Sequence, residues 1–161
     1  MYKILTVVLI ISISSCHPDP KLDDDPIFTP EEVDFSEEDR LTIENYLMEN
    51  NLEATRTDSG LFYRITEESF GDFPTLDSAV KMTYNGYFLD GETFETSPEE
   101  GVVFKNLLQL IPGFREGVLL LNKGAKATFI IPSGLAYGNT GAGSIPPNTI
   151  IVYDVALLDF L

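Results

Sequence analysis

Apolar and polar positions follow three different rhythms along this chain. Residues 4–11 form a short apolar run behind Lys3, broken only by Thr6. Residues 17–36 then have few apolar positions and no period. From Ser36 onward the pattern becomes regular. Ser36 followed by Glu37, Glu38 and Asp39 reads as a helix start, with a capping hydroxyl and acids at the positive end of the helix dipole. Leu41, Ile43, Tyr46, Leu47 and Met48 supply an apolar stripe near helical spacing, and Asn50-Asn51 ends it. Such a helix either packs on a neighbouring domain or pairs with another copy.

Thr57-Asp58-Ser59-Gly60 marks a turn into a first strand, Leu61-Phe62-Tyr63-Arg64-Ile65. After a connection over residues 71–77, Val80-Lys81-Met82-Thr83-Tyr84 alternates as a half-buried strand does. Asp90-Gly91 signals a hairpin between Tyr87-Phe88-Leu89 and Thr93-Phe94. Pro112 suits the first position of a helix, which forces Ile111 to be extended. That helix is predicted over residues 112–121, with Phe114, Val118 and Leu121 on one face and Gly117 permitting close approach to a sheet. Residues 125–131 and 150–158 read as long strands, separated by a Gly- and Pro-rich loop over 134–148. One short helix among antiparallel strands gives an α+β domain.

Length and charge sharpen the division. The 161 residues suit one domain plus an extension, and a hydrophobic content of 43% supports a packed core. The net charge of −16 argues against nucleic-acid partners, because phosphate contacts need Lys and Arg. Residues 17–40 hold ten acids against Lys21 and Arg40, whereas residues 79–161 hold eight acids against five bases. The acidity therefore belongs mainly to the segment before the domain.

Residues 1–15 have the layout of a secretory signal peptide, too short for a comfortable membrane span. Ile13-Ser14-Ser15-Cys16 resembles a relaxed bacterial lipobox, with Cys16 as the lipidated first mature residue; an incidental Cys after an ordinary signal is the alternative. Cys16 is the only Cys, so no internal disulfide forms. Pro18, Pro20, Pro26 and Pro30, with Asp23-Asp24-Asp25, describe an extended tether. Its acids either act as a surface-export signal or are inert, and His17 is a solvated residue rather than a ligand. The expected organisation is signal peptide over 1–15, lipidated Cys and tether over 16–35, helical extension over 36–60, and a folded domain over 61–161. The expected location is the bacterial cell envelope: lipid-anchored at the outer membrane, facing the periplasm or the surface. No metal-ligand cluster or cofactor motif is present.

Six motifs remain. In order they are Tyr84-Asn85-Gly86-Tyr87; Gly91-Glu92-Thr93-Phe94-Glu95-Thr96-Ser97; Ile111-Pro112-Gly113-Phe114-Arg115-Glu116-Gly117; Leu135-Ala136-Tyr137-Gly138; Ile145-Pro146-Pro147-Asn148-Thr149; and Val152-Tyr153-Asp154-Val155. Their order and spacing resemble the FK506-binding-protein (FKBP) family of peptidyl-prolyl cis/trans isomerases. The resemblance covers about half the chain and implies a twisted antiparallel sheet wrapped over the helix.

It also implies a pocket. Tyr84, Phe94, Glu95, Phe114, Tyr137 and Tyr153 match the catalytic positions, and Phe104, Leu110, Ile111, Ala136 and Ile145 match the substrate-binding ones. Phe114 would lie beneath the proline ring. The Tyr137 hydroxyl and the Ile111 N–H would donate to substrate carbonyls, and Glu95 would pair with Tyr84. The implied partners are proline-containing polypeptides and FK506-like macrolides, with no cofactor. Three positions depart from the usual pattern: Phe114 stands for Trp, Glu95 for Asp, and Tyr153 for Phe. The added Tyr153 hydroxyl needs a partner if buried. No large insertion follows the middle hairpin, so the chaperone-type insert of some bacterial relatives is absent.

Prolyl isomerisation fits such residues. The barrier is the partial double bond of the amide, roughly 18–20 kcal/mol. The twisted amide is less polar than the planar one, so a dry aromatic cup favours it, with a few donors holding the flanking carbonyls. Two other readings stand beside the enzyme. One is a weakly active or inactive binding module of a surface or motility apparatus. The other takes Tyr84, Phe94 and Tyr153 simply as core. Tyr137 and Ile145, in a glycine- and proline-rich loop, do not fit the core reading.

Overall fold

The computed structural model describes residues 37–161. Cys16, the signal and tether segments, and the capping Ser36 lie outside the described residues.

Helix α1 (Glu37–Glu49) opens on Glu37, Glu38 and Asp39. Arg40 bridges Glu37 and Glu44 along its surface, one turn to either side. Asn51 ends it in the left-handed region at φ 53°, and Asn50 donates back to the Tyr46 carbonyl at 2.8 Å. Only part of the apolar stripe is used. Ile43 is fully buried and Tyr46 and Leu47 partly so, while Leu41 and Met48 are 47% and 73% exposed. The inward face runs through Asp39 and Ile43 instead.

Seven strands form one antiparallel sheet: β1 (Thr55–Arg56), β2 (Phe62–Glu67), β3 (Val80–Phe88), β4 (Thr93–Thr96), β5 (Val102–Phe104), β6 (Lys126–Ile131) and β7 (Ile151–Phe160). Their order is β1-β2-β6-β7-β3-β4, with β5 also on β3. The expected hairpin joins β3 to β4, and Gly91 takes φ 90° in its turn. Strand β3 runs on to Phe88, beyond the alternating stretch that marks its start. The short β1 and β5 carry too few residues to show a period.

Residues 129–131 of β6 and 151–153 of β7 are apolar on both sides because both faces of the sheet are covered there. One face carries Phe129, Ile131, Ile151, Tyr153 and Val155 into the main core, with Phe114, Val118 and Leu121. The other carries Phe62, Ile130, Ile150 and Val152 against Ile43 of α1. The extension helix therefore packs on the sheet.

Helix α2 (Pro112–Leu119) lies on the main-core face. It ends slightly earlier than the sequence pattern suggests, closing with Leu120 N–H donating to the Gly117 carbonyl. A Cβ on Gly117 would sit 2.7 Å from the Phe129 ring, and one on Gly113 2.5 Å from Ile131 Cγ2. These glycines let the helix backbone settle directly onto β6.

Candidate active site

Pro112 begins α2, and its ring keeps Ile111 extended at φ −57°, ψ 147°. A single 3-10 turn, Leu107–Gln109, precedes it, capped by the Asn106 side chain accepting from Leu108 N–H. This pair of breaks delivers Leu110 and Ile111 to the mouth of the core and Phe114 beneath them. Among the described residues, no carbonyl or side chain accepts from the Ile111 N–H. It is left available as a donor.

Phe114 is 4% exposed and lies at the centre of an aromatic cluster. Its ring meets Tyr153 edge-on at 4.7 Å, Tyr84 at 5.9 Å and Phe129 at 6.0 Å. Phe94 meets Tyr153 edge-on at 5.6 Å, and Phe104 stands 6.2 Å from Tyr84. Such tilted contacts are the favoured geometry between rings. Phe114, Ile145 and Tyr153 are buried, whereas Tyr84, Phe94, Phe104, Leu110, Ile111, Ala136 and Tyr137 are only partly buried around them. The result is a closed apolar floor with an accessible rim. All eleven pocket residues expected from the sequence except Glu95 belong to this packed set; Glu95 stands exposed beside it.

One expectation is corrected. Glu95 pairs with Tyr153, not with Tyr84: the Tyr153 hydroxyl donates to Glu95 Oε1 at 2.5 Å. The sheet register explains the exchange of partners. Tyr153 pairs with Gly86 across β7 and β3, and Gly86 pairs with Glu95 across β3 and β4. Gly86 has no side chain to stand between them; a Cβ there would fall 2.6 Å from the Tyr153 ring and 2.8 Å from Phe94. The longer arm of Glu and the hydroxyl of Tyr thus meet over a gap that Gly86 leaves. The extra hydroxyl of Tyr153 has the partner that burial requires.

Burial, reinforced by the negative charge of Glu95, raises the phenol of Tyr153 far above the ordinary tyrosine range. Tyr84 and Tyr137 are raised for the same two reasons, burial first. The three phenols are therefore neutral donors throughout the physiological range.

Tyr137 is held by its backbone. The Ser133 carbonyl accepts from Ala136 N–H at 3.0 Å and from Gly138 N–H at 2.8 Å, one on either side of Tyr137. The Tyr137 carbonyl accepts from Gly141 N–H at 3.2 Å. Ile145 is fixed by two reciprocal bonds with Ala142 at 2.8 and 2.9 Å. A groove of about 830 Å³ opens beside the cup between the β3–β4 hairpin and residues 144–150, with Phe94 as a shared wall.

Sequence reasoning missed Asp39. It is 7% exposed and accepts from both the N–H and the hydroxyl of Ser133, at 2.8 and 2.7 Å. The signal was present: Asp39 stands in helical phase with Ile43, on the inward face of α1. Among the described residues, no cluster of three or more His, Cys, Asp or Glu is placed to hold a metal.

Comparison with known proteins extends the likeness. Residues 71–158 match the model of the family described as FKBP-type peptidyl-prolyl cis-trans isomerase. A relative from Neisseria meningitidis serogroup B, named probable FKBP-type peptidyl-prolyl cis-trans isomerase FkpA, is 46% identical over 120 residues, covering 71% of this chain and 44% of its own. The chain spans less than half the length of this and the other FkpA relatives it matches. Among solved structures, FkpA from Escherichia coli superposes with a TM-score of 0.68 at 34% identity, covering 76% of this chain and 59% of that one. A peptidyl-prolyl cis-trans isomerase from Pseudomonas syringae gives a TM-score of 0.66 at 25% identity, covering 77% of this chain and 94% of that one.

Proposed function

The chain belongs to the FKBP-type peptidyl-prolyl cis-trans isomerase family, and from that membership we propose that it rotates X-Pro bonds of proteins outside the cytoplasm and so assists their folding. The observation that carries this reading is the buried ring of Phe114 encircled by partly accessible aromatic and aliphatic side chains. No bond is made or broken in this reaction, so an apolar surface and a few fixed donors suffice.

In this reading the proline ring rests on Phe114, between Tyr84, Phe94 and Tyr153. Tyr137 donates its hydroxyl to a carbonyl beside the proline, and the Ile111 N–H holds a second. The one buried hydroxyl at the base of the cup, that of Tyr153, is already bound to Glu95 and calls for no water there. The peptide nitrogen loses conjugation as it twists, and the cup favours that less polar state over the planar one. FK506-like macrolides would compete for the same surface.

The extracytoplasmic setting rests on residues 1–16. The signal-like run and Cys16 support a lipid anchor, and residues 17–35 a tether beyond it. Replacing Cys16 by Ser in the full chain should release the protein from the membrane fraction; retention there would remove the anchor.

An X-Pro peptide exchange assay tests the activity. Turnover above background, lowered by macrolide, is the expected result. Background turnover by folded protein would sink the enzyme reading. Proline-peptide binding without turnover would leave the binding module of a surface or motility apparatus.

A further inference from the structure

We propose that Asp39 is a positioning residue for Tyr137, which makes helix α1 part of the isomerase site rather than a spacer ahead of it. The inference rests on the isomerase reading above and goes beyond it by assigning a role to the extension.

Asp39 is a buried carboxylate, and the cup does not use it directly. Its Oδ2 accepts from the Ser133 N–H at 2.8 Å and from the Ser133 hydroxyl at 2.7 Å, a link between residues 94 positions apart. Charge-assisted bonds of this kind are among the strongest in a protein. Ser133 is also the hub of the loop that presents Tyr137. Its carbonyl holds the N–H groups of Ala136 and Gly138 at 3.0 and 2.8 Å. Its donors thus point to α1, while its acceptor fixes the N–H groups of the two residues that flank Tyr137.

The helix that carries Asp39 is itself anchored. Ile43 is fully buried against Phe62, Ile130, Ile150 and Val152 on the far side of the sheet. The Asp39 carboxylate therefore transmits a fixed point on α1 through Ser133 to the phenol at the rim. Prolyl isomerisation relies on donors held in register with the substrate carbonyls, so a small displacement of Tyr137 lowers turnover. Loss of the carboxylate also leaves the buried Ser133 donors without a partner, which loosens the turn at its hub.

The test uses the full chain and four single variants: Asp39→Ala, Asp39→Asn, Tyr137→Phe and, as a control for simple loss of stability, Leu157→Ala, a fully buried core residue four positions along β7 from Tyr153 and outside α1. Asp39→Ala is expected to lower kcat/KM by about three-fold or more, but no further than Tyr137→Phe does, because it acts through that residue. Asp39→Asn, which still offers one accepting oxygen, should recover most of that loss. Leu157→Ala should leave kcat/KM within about two-fold of the parent at a temperature where it is folded, although it lowers Tm at least as far. In a Tyr137→Phe background, Asp39→Ala should add less than about two-fold, because both changes act on one group.

A second readout needs no turnover. Amide hydrogen exchange at Ala136 and Gly138 should accelerate about ten-fold in Asp39→Ala relative to Leu157→Ala at matched global stability. Unchanged exchange at these two amides, or a full additional loss in the Tyr137→Phe background, overturns the proposal. If the parent shows no turnover, the isomerase reading falls on its own, and the amide exchange still decides whether α1 fixes the Tyr137 loop.

Discussion

The phenol of Tyr153 and the carboxylate of Glu95 meet at 2.5 Å across Gly86, a residue that sits in register with both. Two departures from the usual family pattern are thus a single adjustment. A Tyr in place of Phe introduces a buried hydroxyl, and a Glu in place of Asp reaches far enough to satisfy it.

That coupling can be measured. Glu95→Ala is expected to lower stability by about 1 kcal/mol, at the low end for a stranded hydroxyl because exposed Glu95 leaves room for water. In a Tyr153→Phe background the same substitution should cost little, since no hydroxyl is then left behind. Urea midpoints of the four proteins check this. Equal effects of Glu95→Ala in both backgrounds would show that the two residues do not act together.

Tyr137→Phe removes one hydrogen bond to substrate and leaves the ring in place. A loss of about three- to ten-fold in kcat/KM is expected, matching the usual net worth of a neutral hydrogen bond. Thermal melting should not change. Steady-state exchange kinetics beside a melt separates the two.

The phenols give a pH signature. Burial raises Tyr84, Tyr137 and Tyr153 above the ordinary tyrosine value, so the unfolded chain loses those protons first as pH rises. Their contribution to stability is present in full below the unfolded-state value of about 10 and is lost as pH climbs from there through the folded-state values. Tm should thus show no phenol-linked change through neutral pH and decline above about 10. A phenol-linked loss centred near neutrality, read by ultraviolet absorbance, would contradict this.

Gly117→Ala tests the seat of the floor. Its new Cβ would meet the Phe129 ring at 2.7 Å, and Phe129 in turn supports Phe114 at 6.0 Å. The cost is expected to be about 1–3 kcal/mol by overpacking. Macrolide or proline-peptide affinity should fall with it, read by calorimetry on protein shown to be folded.

Much of this architecture could be read from local pattern. Pro112 announced both the helix start and the extended Ile111, Asp90-Gly91 announced the hairpin, and the apolar runs announced β6 and β7. The ring set of the cup followed from motif order. What local pattern did not reveal depends on register and on distant contacts. The partner of Glu95 is fixed by the pairing of three strands through Gly86, which no single stretch displays. Asp39 looked like one of three acids at a helix start, and only the packing of Ile43 turns it inward. The strands β1 and β5, with two and three residues, are set by their neighbours rather than by their own pattern.

The covering of the sheet by α1 has a practical consequence for anyone shortening this protein. A fragment that starts at β2 keeps every ring of the cup, yet it strips the roof from Phe62, Ile130, Ile150 and Val152. Those side chains would form a bare greasy panel that invites self-association. Catalytic residues alone therefore make a poor guide to where the chain can be cut.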